Sequence, residues 1–111
     1  MKERRKHERT GNIRVRAKFQ VKPSDTDDSS YPIINISLGG ILVEYPGELK
    51  ANQLVTISFD PADTALNLSS RIKAIVVRCE NGPEHYHIAL MFVNPSRIEE
   101  GEIREIIKSH K

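Results

Sequence analysis

The stretch Asn12–Lys22 (NIRVRAKFQVK) alternates between polar and apolar side chains along its whole length. Its odd-numbered positions are apolar, and its even-numbered positions are polar or charged. Because the side chains of a strand point alternately to its two faces, this period of two predicts a strand with one buried and one wet face. Pro23 ends the pattern, and the polar run that follows is typical of a loop.

Five further strands are predicted downstream of this stretch. They cover residues 31–37, 41–45, 54–59, 71–79 and 85–93. Turn signals separate them, namely Gly39-Gly40, Pro46-Gly47 and Asn81-Gly82-Pro83. In the second strand, Ile34 and Ile36 are expected to share one face. Six short strands at regular spacing predict a small antiparallel barrel or sandwich.

The C-terminal segment has a different, helical pattern. Ser96 and Glu99 form a capping box, which predicts a helix over residues 96–109. Its narrow apolar stripe consists of Ile98, Ile103, Ile106 and Ile107. Gly101 inside it costs about 1 kcal/mol relative to Ala, so we expect the helix to need docking on the barrel.

The charge of this 111-residue chain is unevenly distributed, although its formal net charge is only +2. Residues 1–22 carry nine Lys and Arg against two Glu, a net of +7, whereas residues 23–111 carry a net of −5. The length predicts one domain, which we divide into a flexible basic arm (1–11) and a body (12–111). The basic front indicates an anionic partner.

Several classes of protein are disfavoured by the composition. No apolar run is long enough for a transmembrane helix, and the charged N-terminus is unlike a signal peptide, so a cytoplasmic location without membrane insertion is expected. Cys79 is alone, and His85 and His87 have no evident third companion, so no metal site is expected. Ser37 has no evident His and Asp partners for a catalytic triad. We therefore expect neither an enzyme nor a cofactor.

Two polar motifs flank the first strand. The first is Arg4-Arg5-Lys6-His7-Glu8-Arg9, and the second is Asn35-Ile36-Ser37-Leu38-Gly39-Gly40. Residues two apart in a strand point the same way, so Asn35 and Ser37 present an amide and a hydroxyl together. The glycine pair, Gly39 and Gly40, would let a ligand approach the backbone closely.

These two motifs resemble the signatures of PilZ domains, bacterial receptors for the second messenger cyclic di-GMP. The family has Arg-x-x-x-Arg in an N-terminal arm and Asp/Asn-x-Ser-x-x-Gly on the barrel, and this chain has Arg5-x-x-x-Arg9 and Asn35-x-Ser37-x-x-Gly40. The resemblance covers essentially the whole chain. It implies an all-β fold, a six-stranded antiparallel β-barrel with a C-terminal α-helix and a flexible N-terminal arm.

The resemblance also implies a function and a site. Arg5 and Arg9 would clamp phosphate and base, and the barrel would supply Asn35, Ser37, Gly39 and Gly40 as the wall. Arg suits this ligand because its planar fork pairs with phosphate or with a guanine edge. Arg4 adds a cation, and family members with a basic residue there tend to take an intercalated ligand dimer. The expected output is movement of the arm against an unidentified effector protein.

Two alternatives remain open from the sequence. A small basic barrel could bind nucleic acid through the wet face of the first strand, although few aromatic side chains are present for base stacking. The chain could also be a PilZ-like docking module that no longer binds ligand. Titration with cyclic di-GMP separates these hypotheses.

Overall fold

The computed structural model describes residues 13–21, 29–62 and 65–109. Within these ranges the chain forms six strands and one helix. The elements are β1 (Arg16–Gln20), β2 (Tyr31–Ile36), β3 (Gly40–Tyr45), β4 (Leu54–Asp60), β5 (Arg71–Asn81), β6 (Tyr86–Phe92) and α1 (Arg97–Ser109).

The six strands close into a barrel in the order β1-β2-β3-β6-β5-β4. Every pairing is antiparallel, and β1 completes the ring by pairing with both β2 and β4. Closure gives each of the six described strands a partner on both sides, which limits edge-to-edge aggregation. The predicted six-stranded antiparallel barrel with a C-terminal helix is confirmed.

The core follows directly from the alternation in the sequence. In β1 the side chains of Ala17 and Phe19 are buried, whereas Arg16, Lys18 and Gln20 are only partly covered. The same alternation continues in β4, where every second residue from Val55 onwards faces the interior. Apolar residues alone fill this interior among the described residues, as expected for a small barrel whose inward side chains form the packing.

Helix α1 is fixed at its start by the predicted capping box. The Ser96 amide donates to Glu99 Oε1 at 2.9 Å, and the Glu99 amide donates to Ser96 Oγ at 3.2 Å. Ile103 and Ile106 are fully buried in the barrel's core cluster, so the predicted docking is confirmed.

Two local expectations differ from the structure. Ile98 is 74% exposed and does not belong to the buried stripe, because it lies about 140° around the helix axis from Ile103. The first strand spans only Arg16–Gln20, with Ile13–Val15 leading into it. The arm predicted over residues 1–11 lies outside the described residues.

Candidate functional site

A β-bulge in β2 decides which way the second motif faces. Ile33 pairs with Val43 and Asn35 pairs with Leu42, so Ile34 is an extra residue without a direct partner across the strands. A bulge of this kind moves the side chains that follow it to the opposite face of the sheet from the one that regular alternation would give. Ile33 and Ile36 are therefore both buried, and Asn35 is exposed on the outer face of the barrel.

The expectation that Ile34 and Ile36 share a face is consequently wrong. The two residues that share the core are Ile33 and Ile36, with 5% and 8% of their surface exposed. They are three positions apart, a spacing that a regular strand would place on opposite faces. Without the bulge, Asn35 would follow Ile33 into the core.

Ser37 is at the start of the tight turn between β2 and β3, and its hydroxyl participates in that turn. The Gly39 amide donates to Ser37 Oγ at 3.2 Å, and Ser37 Oγ lies 3.5 Å from the Gly40 carbonyl oxygen. The Ser37 amide donates to the same carbonyl at 2.9 Å. Ser37 is exposed, so its hydroxyl shapes the turn while remaining accessible from outside.

The two glycines of the turn have different surroundings. A Cβ atom built on Gly40 would overlap the carbonyl oxygen of Leu90 in β6, whereas one on Gly39 would meet only Ser37 Oγ, at 3.9 Å. The Gly39 carbonyl accepts a hydrogen bond of 3.0 Å from the Phe92 amide. Gly40 therefore allows close packing of β3 on β6, and Gly39 leaves open space at the surface.

The outer surface beside Asn35 is formed by neighbouring strands. Asn35 pairs with Leu42 of β3, and Leu42 pairs with Ala89 of β6. A shallow depression of about 190 Å³ lies here, lined by Asn35, Ile36, Ser37, Gly40, Ile41, Leu42 and Leu90. Pockets for drug-sized ligands usually enclose about 300–1,000 Å³, so the depression can form one wall of such a site and cannot enclose the ligand.

A second groove lies on the other side of the turn. Leu38, which is 42% exposed, lines a groove of about 470 Å³ together with Arg104 and Lys108 of α1. Two cations of the helix and one carboxylate, that of Glu105, thus line the same groove as Leu38.

Sequence reasoning missed four of these neighbours. Alternation from Gly40 could have placed Leu42 on the outer face. By contrast, Ala89, Arg104 and Lys108 come near the motif only through tertiary packing, which no local pattern encodes.

The structure thus brings together the barrel half of the predicted site, namely Asn35, Ser37, Gly39 and Gly40. The arm half, Arg4, Arg5 and Arg9, lies outside the described residues, so these assignments stay predictions.

The described part of the chain also bears on metal binding and on membrane helices. It contains no group of three or more His, Cys, Asp or Glu residues placed to hold a metal ion. His87 Nε2 lies 3.7 Å from Glu44 Oε2, which gives this histidine a carboxylate neighbour. None of the described helices is long and apolar enough to cross a bilayer.

Comparison with protein families gives one match. The family model described as PilZ domain matches residues 3–109, so the match includes both motifs and the whole barrel. Comparisons with curated proteins and with solved structures found no significant match.

Proposed function

The chain belongs to the PilZ domain family, and we propose that it is a non-catalytic receptor that binds cyclic di-GMP through the β2–β3 turn and the N-terminal arm. The observation that carries this proposal is the outward presentation of Asn35 beside Ser37 and Gly39. Because the β2 bulge turns Asn35 out of the core, its side-chain amide is exposed to solvent, as are the Ser37 hydroxyl and the backbone at Gly39. Such groups can hydrogen-bond the edge of a guanine.

The arm is proposed as the second wall of the site. The depression beside Asn35 is too shallow to enclose a dinucleotide by itself. The arm sequence supplies Arg4, Arg5 and Arg9, whose guanidinium groups pair bidentately with phosphate and stack on purines. Folding of the arm over the ligand would supply both the missing enclosure and the positive charge.

The expected energetics suit a switch. Four to six charge-assisted hydrogen bonds at about 1.5–3 kcal/mol each give on the order of 10 kcal/mol. Ordering several arm residues at roughly 1 kcal/mol each opposes about half of this. The difference, about 5 kcal/mol, corresponds to a Kd of about 0.2 mM, and stacking of the arginines on the guanines has to contribute about 3 kcal/mol more for a micromolar affinity. With Arg4 preceding the motif, we propose two intercalated ligands per site.

The output of binding is proposed to be the rearranged arm, read by an effector protein in the cytoplasm. A change in conformation transmits a signal only if the partner distinguishes the two states. The turn also lies near α1, since Leu38 lines one groove with Arg104 and Lys108. Ordering of the turn can therefore change the surface of the helix as well as that of the arm.

Isothermal titration calorimetry with cyclic di-GMP tests the proposal. Arg5→Ala and Arg9→Ala are each expected to reduce binding at least ten-fold, with an unchanged circular dichroism spectrum. Arg97→Ala is the matched control, because it removes one exposed arginine outside both motifs. A stoichiometry near two is expected, and a value near one would exclude the intercalated pair.

The same titration separates the alternatives. Tight binding that survives both arm substitutions would show that the arm is not the clamp. Lack of binding by the native chain would leave the docking-module hypothesis. Salt-sensitive binding to single-stranded oligonucleotides, together with indifference to cyclic di-GMP, would favour a nucleic-acid partner.

A further inference from the structure

The outer face of β5 and β6 carries contiguous apolar side chains. Val77 is 52% exposed and Met91 is 51% exposed. Ile75 pairs directly with Met91, and Ala89 follows two residues earlier on the same face of β6. We call Ile75, Val77, Ala89 and Met91 the β5–β6 patch. Exposed apolar residues that are scattered singly need no explanation, but a contiguous patch marks an interaction surface.

Opposite charges border this patch along β5. Lys73, which is exposed, lies on one side of it, and Glu80 lies on the other. Glu80 Oε2 is 2.9 Å from Arg78 Nε. Along β5, Arg78 comes between Val77 of the patch and Glu80. A carboxylate has two oxygens and can accept a further cation besides one arginine contact.

The order of these residues is nearly symmetric about the middle of the patch. A second β-bulge between Val76 and Arg78 adds one residue to β5. With the bulge counted as one step, the outward positions are Lys73, Ile75, Val77 with Arg78, and Glu80. Ile75 and Val77 thus lie between the Lys73 cation and the Glu80 carboxylate along β5, and a two-fold rotation about the middle of the patch exchanges the two charged ends.

We propose that this face is an isologous dimer interface with a second copy of the chain. The two β5 strands run antiparallel to one another across the interface, with the two-fold axis near Val77. Lys73 of each copy then meets Glu80 of the other, Ile75 packs on the stem of Arg78, and Met91 packs on the small Ala89. Each of these contacts occurs twice, as a two-fold interface requires.

The charge pattern favours a second copy over other occupants. A polyanion such as nucleic acid would meet Glu80 and an apolar centre, neither of which suits a phosphate backbone. An acidic protein segment would suit Lys73 but would be repelled by Glu80. Only a partner that carries the reversed order of charges satisfies both ends, and the chain itself carries that order.

This interface borders the proposed ligand wall. Met91 pairs with Gly40 and Ala89 pairs with Leu42, both on β3, and Leu42 pairs in turn with Asn35. The proposal rests on the β5–β6 patch and not on the proposed function, so dimerisation is expected without cyclic di-GMP.

Sedimentation equilibrium of the full chain without nucleotide tests the proposal. The native protein is expected to dimerise, and Val77→Glu is expected to make it monomeric while circular dichroism stays unchanged. Lys73→Glu and Glu80→Lys each create like charges twice per interface, so each is expected to weaken the dimer about ten-fold or more. The double variant restores opposite charges and is expected to regain most of the native affinity.

Lys50→Glu is the matched control, since it reverses an exposed charge outside the patch and should leave the dimer intact. A native chain that stays monomeric up to about 1 mM would overturn the proposal and leave the face to another protein. A dimer that persists in Val77→Glu would overturn this interface. A double variant that does not regain affinity would overturn the pairing of Lys73 with Glu80 of the other copy.

Discussion

Gly40 of β3 lies so close to Leu90 of β6 that a methyl group on its Cα would overlap the Leu90 carbonyl oxygen. The two residues belong to strands that pair along their whole described length. Alanine at position 40 must therefore push β3 away from β6. We expect Gly40→Ala to destabilise the barrel by about 1–3 kcal/mol, as overpacking does in a well-packed interior.

Thermal and urea denaturation measure this effect, and Gly39→Ala provides the control. A Cβ at Gly39 would meet only Ser37 Oγ at 3.9 Å, so its substitution should change stability by less than about 0.5 kcal/mol. Equal stability of the two variants would show that β3 can move without cost. The Gly40→Ala variant would then be usable for ligand titrations, for which we otherwise recommend Gly39→Ala.

The sequence was sufficient to predict the strands, but not to predict which side chains of the second motif face outwards. Alternation of apolar residues predicts the barrel because burial of one face is a local, period-two property. The bulge at Ile34 depends on how β2 pairs with β3, and it reversed the expected inward residue from Ile34 to Ile33. The closeness of Gly40 to Leu90 likewise depends on a pairing between strands far apart in sequence.

For the candidate site, the residues could be predicted from the sequence, but the hydrogen bonds that they make in the folded turn could not. The motif spacing gives Asn35 and Ser37 as candidates, but only the folded turn shows that Ser37 Oγ accepts from the Gly39 amide. The exposure of Ile98 has a similar origin, because a helical stripe predicts which residues can be buried, and the barrel decides which are. The arm residues stay predictions.

Helix α1 is expected to depend on its cap and its buried isoleucines in different degrees. Ser96→Ala removes the acceptor for the Glu99 amide and should cost about 1 kcal/mol. Ile106→Ala leaves a cavity in the core and should cost about 2–5 kcal/mol. Urea midpoints at constant m-value measure both. Ile98→Ala, at a 74% exposed position, should have almost no effect, and a cost equal to that of Ile106→Ala would contradict the packing described.

Glu102 ties α1 to the segment before β5, and its removal should loosen that segment. Its carboxylate accepts from Ser70 Oγ at 2.8 Å, from the Ser70 amide at 3.1 Å and from the Ser69 amide at 3.4 Å. Hydrogen bonds to a charged group contribute about 1.5–3 kcal/mol each at most, and these are only partly buried. We expect Glu102→Ala to cost about 1–2 kcal/mol.

Hydrogen exchange gives a more specific readout of that contact. The amides of Ser69 and Ser70 should exchange faster in Glu102→Ala, whereas those in the middle of β6 should not change. Glu105→Ala is the control, since it removes an exposed carboxylate from the same helix. Unchanged protection at Ser69 and Ser70 would show that the carboxylate does not hold the segment.

Asn35 and Ser37 are expected to differ in how they affect binding and stability. Asn35 is exposed on the outer face, so Asn35→Ala should leave the free energy of unfolding within about 0.5 kcal/mol of the native value. Ser37→Ala also removes the acceptor for the Gly39 amide and should cost about 0.5–1.5 kcal/mol. If both side chains contact cyclic di-GMP, each substitution should weaken binding about ten-fold, equivalent to about 1.4 kcal/mol.

Calorimetry combined with denaturation separates these two effects. Asn35→Asp is the informative companion variant, because the carboxylate keeps the acceptor while it loses the amide donor. Retained binding in Asn35→Asp would assign an accepting role to the side chain, and loss would assign a donating one. Native affinity in Asn35→Ala would remove Asn35 from the site altogether, since the exposed side chain makes no hydrogen bond to the described residues that could mask its contact with a ligand.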